Sequence, residues 1–273
     1  MTEVVPQKID FEKAEKYDRY RNTCKIIITL VSAAAAVYGI SQIQNTVVEK
    51  TMSIVLIVVS LLSLYYYSRF KETFRKAEKT RRDGFLDNTF NTRLADISSS
   101  GYYDTDSIEH GIKKLMSNLH ESCIFTCRIS EKMFMKSEKE LLAWFSLIVI
   151  LALINYFGTL FIIAVIDVFL SKEVLGDYME LKRLHKETEA IHQECKRIAE
   201  NAKIKEWEAD NALMSEVLQV FLQYETALSY ASIMLDTEIY QELNPAIMQE
   251  WNRIRVRYYD AGVKRSQLTF VTC

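Results

Sequence analysis

The distribution of apolar and charged residues along the chain predicts two membrane-embedded regions. Residues 26–43 and 52–68 contain no charged side chain, and a short polar segment separates them. A transmembrane helix needs about 20 predominantly apolar residues, with a lower limit of about 17. Both stretches are close to this length, so we expect a transmembrane helical hairpin. Tyr65, Tyr66 and Tyr67 would lie at the membrane–water interface, where tyrosines are enriched.

A third apolar stretch, residues 141–170, is too long for one perpendicular helix. As a single helix it would be about 45 Å long, against a hydrocarbon core of about 30 Å. It would also place the amide of Asn155 in the most apolar layer. A turn at Asn155–Gly158 removes both problems, because Asn and Gly are common turn residues. We therefore expect a second hairpin, transmembrane or re-entrant because its arms are short, with a single crossing as the alternative.

Basic residues flank the predicted hairpins on one side. Six lysines and arginines lie within residues 8–25 and seven within residues 69–82, whereas Lys50 is the only one in the connecting loop. Lysines also lie shortly before and shortly after the third apolar stretch. Because cytoplasmic loops are enriched in Lys and Arg, we predict a multi-pass membrane protein with both termini in the cytoplasm.

The resulting fold class is an all-α integral membrane protein with two transmembrane helical hairpins and cytosolic helical regions. Seven glycines and two prolines are few for 273 residues and favour helices. The predicted regions are an N-terminal cytosolic amphipathic helix (1–24), a first hairpin (25–68), a cytosolic helical linker domain (69–139), a second hairpin (140–171) and a C-terminal cytosolic helical domain (172–273).

The linker domain contains signals for helix ends and for a buried helix face. Asp83-Gly84 is expected to end the helix that continues from the second apolar stretch. Thr105-Asp106 followed by Glu109 fits a capping box, which predicts a helix from Ser107. Apolar side chains then recur with helical spacing along one face. These are Ile112, Leu115, Met116, Leu119, Cys123 and Cys127.

The C-terminal domain is predicted to contain three helices. Leu184, Ile191 and Ile198 repeat every seven residues, which indicates a long amphipathic helix. Residues 213–235 are more apolar and predict a helix in a core, completed by the linker domain or by another subunit. Asn244-Pro245 is expected to start the last helix.

The amino-acid composition bears on three questions: nucleic-acid binding, disulfide formation and a signal peptide. The net charge is −2 and no domain is strongly basic, so direct nucleic-acid binding is not expected. Five cysteines, an odd number, in predicted cytoplasmic regions are expected to be free thiols. Five acidic residues before the first apolar stretch argue against a cleavable signal peptide.

One segment of the linker domain is dense in polar groups and is the candidate ligand-binding site. Its residues are Arg81, Arg82, Asp83, Asp87 and Asn88, with Tyr102 and Tyr103 nearby in sequence. The structural alternative is a charged helix end and turn beside two packed tyrosines. The two carboxylates could also do acid–base chemistry, but no nucleophile–base pair or Gly-rich phosphate loop accompanies them. We therefore predict no catalytic residue, no cofactor and no enzymatic activity.

Two His/Cys groups have spacings that could bind a metal, but both are better explained as helix positions. They are His120, Cys123 and Cys127, and His185, His192 and Cys195. Neither offers a fourth ligand, so no metal is predicted.

Asn155 and Asp167 are the strongly polar residues of the third apolar stretch. They are candidates to line a pore between assembled subunits. Positions at the turn and at the end of the hairpin explain them equally.

The order of two hairpins, an intervening block of about 70 residues and a helical tail of about 100 resembles a known family. Its inter-hairpin landmarks would correspond to residues 81–88, 101–103 and 118–122. The layout resembles the SMODS-associating four-transmembrane effectors of bacterial anti-phage signalling systems. That resemblance implies oligomerisation and permeabilisation of the inner membrane once a cytosolic signal is sensed.

The resemblance also implies the partners: the lipid bilayer, further copies of this chain, and a nucleotide second messenger or a defence-system partner protein. Two alternatives stay open. The first is a membrane-anchored scaffold or sensor whose hairpins only tether it, and the second is a membrane enzyme that uses Asp83 and Asp87.

Overall fold

The computed structural model describes most of the chain, in segments. These are residues 8–40, 45–95, 105, 108–154, 175–202, 207 and 211–259. The described residues form six α-helices and no strand, which confirms the all-helical prediction for this part of the chain. The helices are α1 (Lys8–Ile40), α2 (Thr46–Phe90), α3 (Ile112–Ile154), α4 (Asp177–Ala202), α5 (Asn211–Ala231) and α6 (Thr237–Tyr258).

Helices α1 and α2 pack side by side as an antiparallel hairpin. Near the start of α1, the ring of Phe11 lies 5.9 Å from the ring of Phe74 on α2. Near its other end, the hydroxyl oxygen of Tyr38 accepts a hydrogen bond of 2.6 Å from the backbone N–H of Asn45. The N-terminal cytosolic helix and the first apolar stretch therefore belong to one continuous helix, without a break near residue 24.

Helix α2 is the one helix in the described segments that is long and apolar enough to cross a membrane. Its apolar half is almost entirely exposed, which distinguishes it from the buried core helix of a soluble protein. The large side chains that are more than half exposed there include Ile54, Ile57, Leu61, Leu64 and Tyr65. The last turns of α3 expose Leu142, Trp144, Phe145 and Ile150 in the same way.

The main core is built from α3, α4, α5 and α6 together with the last turns of α2. The predicted apolar stripe of α3 is buried, and so are the three heptad positions of α4, Leu184, Ile191 and Ile198. Trp251 from α6 and Phe85 from α2 are among the largest fully buried side chains. The linker block and the C-terminal block thus share one core, so the C-terminal helices do not form a core of their own.

Helices α3 and α4 run antiparallel. The thiol of Cys123 donates a hydrogen bond of 3.2 Å to the backbone carbonyl of Thr188. Three turns further along α3, the ring of Phe134 lies 5.4 Å from the ring of Tyr178 at the start of α4. The chain therefore leaves the core at the end of α3 and returns to it beside α3.

The start of α4 also lies next to the first hairpin. The ammonium of Lys25 on α1 is 3.8 Å from the carboxylate of Asp177. Lys25 directly precedes the first apolar stretch. The start of α4 therefore lies beside the point on α1 at which the first apolar stretch begins.

The predicted helix end at Asp83-Gly84 is wrong, because α2 continues to Phe90. Glycine inside a helix costs about 1 kcal/mol relative to alanine. Burial of the following Phe85 and Thr89 against the core outweighs this cost. The helix ends instead at Asn91, which adopts a left-handed conformation with φ 54°.

The predicted start of a helix at Ser107 is also wrong, because α3 begins at Ile112. Gly111 has φ 144°, a conformation that glycine adopts readily and that does not continue a helix. Its N–H donates to the carbonyl of Thr89 instead. Thr105 is buried and bonded to Asn118, so it ties the preceding loop to α3.

The predicted start of the last helix at Asn244-Pro245 is wrong as well. Helix α6 begins two turns earlier, where the carboxylate of Asp236 accepts hydrogen bonds from the N–H groups of Glu238 and Ile239. Pro245 lies inside the helix on an exposed face. Water can therefore reach the carbonyl that lacks a helical donor, which makes the proline tolerable there.

Candidate functional site

The strongest polar contact between the candidate ligand residues and the rest of the protein is an ion-pair cluster. Arg81 donates two hydrogen bonds through Nη2 to the carboxylate of Glu225, of 2.9 and 2.7 Å. Arg82 donates a third through Nε, of 3.0 Å. We call Arg81, Arg82 and Glu225 the arginine–glutamate junction. It joins the C-terminal half of α2 to α5.

The two arginines of this junction have different environments. The side chain of Arg81 is 13% exposed and that of Glu225 is 8% exposed, whereas Arg82 is 41% exposed. Burial alone would lower the pKa of Arg81, but the carboxylates of Glu78 and Glu225 hold that pKa well above its usual value. Arg81 is therefore positively charged in a site that is largely buried. Its carboxylate partners offset the cost of burying that charge.

Packing of aromatic rings holds the junction in place. The ring of Phe85, one turn after Arg81 on α2, stacks on the ring of Phe221 at 5.4 Å with an interplanar angle of 18°. Phe221 precedes Glu225 by one turn on α5. The apolar contact and the ion pairs thus occupy successive turns of the same two helices.

Asp87 is bound to the loop that follows α2. Its carboxylate accepts hydrogen bonds of 2.7 Å from the hydroxyl of Thr92, 2.7 Å from the N–H of Leu94 and 2.8 Å from the N–H of Ala95. Burial would raise the pKa of Asp87, but these three hydrogen bonds lower it below its usual value. Asp87 is thus a stabilised anion that fixes a loop.

Asn88 belongs to a buried network between α2 and α3. Its side-chain oxygen accepts a hydrogen bond of 2.9 Å from the amide of Asn118. The oxygen of Asn118 accepts one of 2.6 Å from the hydroxyl of Thr105. Each buried amide therefore has a partner, which is the arrangement expected of structural polar groups.

The sequence-predicted site is therefore divided in the structure. Arg81 and Arg82 meet at the junction, whereas Asp87 and Asn88 contact the following loop and α3 respectively. Asp83 is half-buried and has no ion pair or hydrogen bond to another described side chain. Four other predicted residues lie outside the described segments: Tyr102 and Tyr103 of the ligand site, and Asn155 and Asp167 of the pore lining.

The side chains of the two His/Cys groups, for which no metal is predicted, make other contacts in the core. No cluster of three or more His, Cys, Asp or Glu side chains within the described segments is placed to hold a metal ion. The thiol of Cys123 is bonded to the carbonyl of Thr188, and the ring of His185 stacks on Phe134 at 6.2 Å. None of the four described cysteines forms a disulfide.

A buried histidine pair, which the sequence reading treated only as separate metal candidates, lies in the core. Nε2 of His120 is 3.2 Å from Nδ1 of His192, and Nδ1 of His120 is 3.0 Å from the hydroxyl of Tyr259. Burial, followed by the charge of Lys196, lowers the pKa of His192 to about 4. Burial also lowers the pKa of His120 well below its usual value. Both rings are therefore neutral at pH 7.

A groove of about 810 Å³ lies between α3 and α6. Its floor is apolar, with Met135, Ile239 and Leu243, and its rims carry charges of both signs. Arg128 spans the two helices with an ion pair of 2.8 Å to Glu250. The groove thus combines apolar surface with charged side chains of both signs.

Glu225 is the functional residue that the sequence reading did not identify. The sequence contains a pattern that points to this residue. A row of residues recurs at four-residue intervals on α5: Leu213, Val217, Phe221 and Glu225. An acid that continues a buried apolar row predicts a buried cation opposite it. The sequence alone did not reveal that this cation comes from residues more than 140 positions away.

Comparisons of the chain with protein-family models, with curated proteins and with solved structures find no match. The geometry of this chain and its resemblance in layout are therefore the basis of the function proposed below.

Replacing Glu225 with glutamine is expected to destabilise the fold strongly. The change leaves Arg81 in a dry site with one of its two carboxylate partners removed, which typically costs about 3–5 kcal/mol. Urea unfolding of the full chain in detergent, followed by circular dichroism, measures the loss. Glu216→Gln on the same helix is the control, because its ion pair with Arg197 is exposed and is worth about 0–1 kcal/mol. Equal losses for the two variants would contradict a structural role for the junction.

The histidine pair makes stability depend on pH. The pKa values of His120 and His192 are lower in the folded state than the ordinary value of 6.5. The unfolded chain therefore binds more protons in acid. Stability is full above pH 6.5 and falls as the pH decreases towards about 4, by up to about 1.4 kcal/mol per pH unit for each histidine.

Urea unfolding at pH 7, 6 and 5 measures this dependence. His192→Gln is expected to flatten it, whereas His110→Gln changes an exposed histidine and should leave it intact. A slope that is the same in the wild type and in His192→Gln would rule out this explanation.

Proposed function

We propose that this chain is a bacterial anti-phage effector that oligomerises and permeabilises the inner membrane when a cytosolic signal is sensed. The single observation that carries the proposal is the continuity of two helices. Helix α2 runs from an exposed apolar half into the buried core, and α3 runs from that core to an exposed apolar end. At 1.5 Å per residue each helix is about 65 Å long, roughly twice the thickness of the hydrocarbon core.

The two-hairpin topology is part of this proposal. The described residues on the two sides of the third apolar stretch lie close together, because Phe134 of α3 contacts Tyr178 of α4. The neighbouring Asp177 pairs with Lys25, which precedes the first apolar stretch. A stretch that starts and ends on one face of a membrane crosses it an even number of times or is re-entrant. This supports a second hairpin and a cytoplasmic position for both termini.

The arginine–glutamate junction is the contact through which the core could hold the first hairpin in its resting position. Arg81 and Arg82 lie on α2 between its apolar half and its core-packed end, and Glu225 anchors them to α5. A signal that binds the cytosolic core would move the hairpins only to the extent that it prefers a second arrangement of these helices. A nucleotide second messenger or a partner protein are the candidate signals.

Permeabilisation requires assembly as well as movement. The exposed apolar surfaces of α2 and of the end of α3 are in contact with lipid in a monomer, and they can also pack against the same surfaces of other copies. A rearranged hairpin would expose new faces for this packing, with Asn155 and Asp167 as candidates to line the water path. The partners of the chain are then the bilayer and further copies of itself.

Dye release from liposomes tests this function directly. Full-length protein is reconstituted into vesicles loaded with carboxyfluorescein, and Arg82→Gln weakens the junction while Arg81 and Glu225 stay paired. We expect Arg82→Gln to increase the rate of release several-fold over the wild type, because the resting packing loses one of its two cations. Expression of the variant should also depolarise cells.

Lys79→Gln is the matched control, since it removes one positive charge from an exposed position of the same helix. It should release dye at the wild-type rate. If vesicles with wild type, Arg82→Gln and Lys79→Gln all stay intact, the effector function is refuted and the hairpins act only as a membrane tether for a scaffold or sensor.

A further inference from the structure

Two basic side chains, one from α1 and one from α2, face the same pair of aromatic rings. The guanidinium carbon of Arg21 lies 5.7 Å from the ring centre of Tyr67 and 5.5 Å from that of Phe70. The ammonium of Lys71 lies 5.5 Å from Tyr67 and 5.7 Å from Phe70. The aromatic faces attract both cations, and they hold two like charges in one small region.

The positive charge of this region is only partly neutralised. The side chain of Arg21 is 13% exposed, and its Nη2 pairs with a carboxylate oxygen of Asp18 at 2.8 Å. Its Nε is buried and has no hydrogen-bond acceptor among the described residues. Lys71 makes no ion pair within 4.0 Å in the same part of the chain. An unsatisfied buried donor beside a second cation is a costly arrangement unless an anion is supplied.

The pKa of Lys71 is lowered, with burial as the largest cause. Burial and the charge of Arg21 lower the pKa of Lys71 below its usual value, and Arg75 acts in the same direction. The carboxylates of Asp177 and Glu180 oppose this effect but do not reverse it. Arg21 is thus the charged neighbour with the largest effect on Lys71, in agreement with their shared position beside the two rings.

The position of the two cations suits a lipid headgroup. Lys71 follows the last residue of the apolar half of α2, Ser68, by three residues, which is about 4.5 Å along the helix. Arg21 lies one turn before Lys25, which precedes the first apolar stretch. If the first hairpin spans the membrane, as proposed above, both cations lie at the depth of the phosphate groups.

We propose that Arg21 and Lys71 form a binding site for the anionic phosphate headgroup of a membrane phospholipid. The phosphate oxygens accept hydrogen bonds from the ammonium of Lys71, and the neighbouring charge of Arg21 adds to the attraction. Tyr67 and Phe70 form the apolar wall beside the start of the acyl chains. The bound anion removes the repulsion between the two cations and so strengthens the packing of α1 on α2.

Thermal unfolding of the full chain in a neutral detergent tests the site. Short-chain phosphatidylglycerol, short-chain phosphatidylcholine and inorganic phosphate are titrated separately. We expect phosphatidylglycerol to raise the melting temperature most. Lys71→Gln should weaken its apparent affinity about fivefold, which is the usual contribution of one basic residue at a membrane surface. Lys71→Arg should retain the affinity.

Lys79→Gln is the control, because it removes the same charge about 12 Å further along α2. It should bind phosphatidylglycerol like the wild type. Equal losses for Lys71→Gln and Lys79→Gln would overturn the site in favour of diffuse charge attraction. An equal shift with inorganic phosphate alone would overturn the lipid as the source of the phosphate. An equal shift with phosphatidylcholine would overturn the selection of an anionic headgroup. The melting temperatures without lipid show whether each variant is folded.

Carbonate extraction of cell membranes separates this inference from the proposed function. A chain that stays in the membrane fraction but does not prefer phosphatidylglycerol overturns only the lipid site. A chain that carbonate releases overturns the membrane topology on which both rest.

Discussion

An α-helix that is packed into a core at one end and apolar and exposed at the other transmits a rigid displacement from one end to the other. Helices α2 and α3 both have this form. Burial of apolar surface is worth about 25 cal/mol per Å², so the exposed halves need an apolar environment that the described chain itself does not provide. The same two helices supply part of the core through Phe85 and Leu115. A change in core packing therefore cannot leave the apolar halves unaffected.

Buried polar contacts determine which packing of the core is adopted. The arginine–glutamate junction and the pair of His120 and His192 both join helices that are distant in sequence. Such contacts are weak sources of net stability, because desolvation offsets much of the attraction. Loss of one partner is nevertheless costly, because it leaves an unpaired charge at the junction or an unsatisfied polar group at the histidine pair. Substitution of Glu225 therefore removes one of the two carboxylate partners of the largely buried Arg81.

Much of the fold could be predicted from the pattern of apolar residues. The stripe on α3 and the heptad positions of α4 were identified because burial follows helical periodicity directly. The helix ends were harder to predict. Gly84 and Pro245 are local breakers, but each lies where tertiary packing or solvent exposure outweighs the local preference. The approach of Arg81 to Glu225 depends on how α2 and α5 pack, and no local signal encodes that distance.

The proposed function depends on the proposed topology of the third apolar stretch. Chemical labelling of cysteines tests this topology most directly. A membrane-impermeant maleimide is added to intact spheroplasts that express either the wild type or Lys50→Cys. Lys50 lies in the first turns of α2, between the two predicted spans, and the four described native cysteines are buried. The account predicts that Lys50→Cys is labelled from outside, whereas Cys273 is labelled only after lysis. Labelling of Cys273 in intact spheroplasts would contradict it.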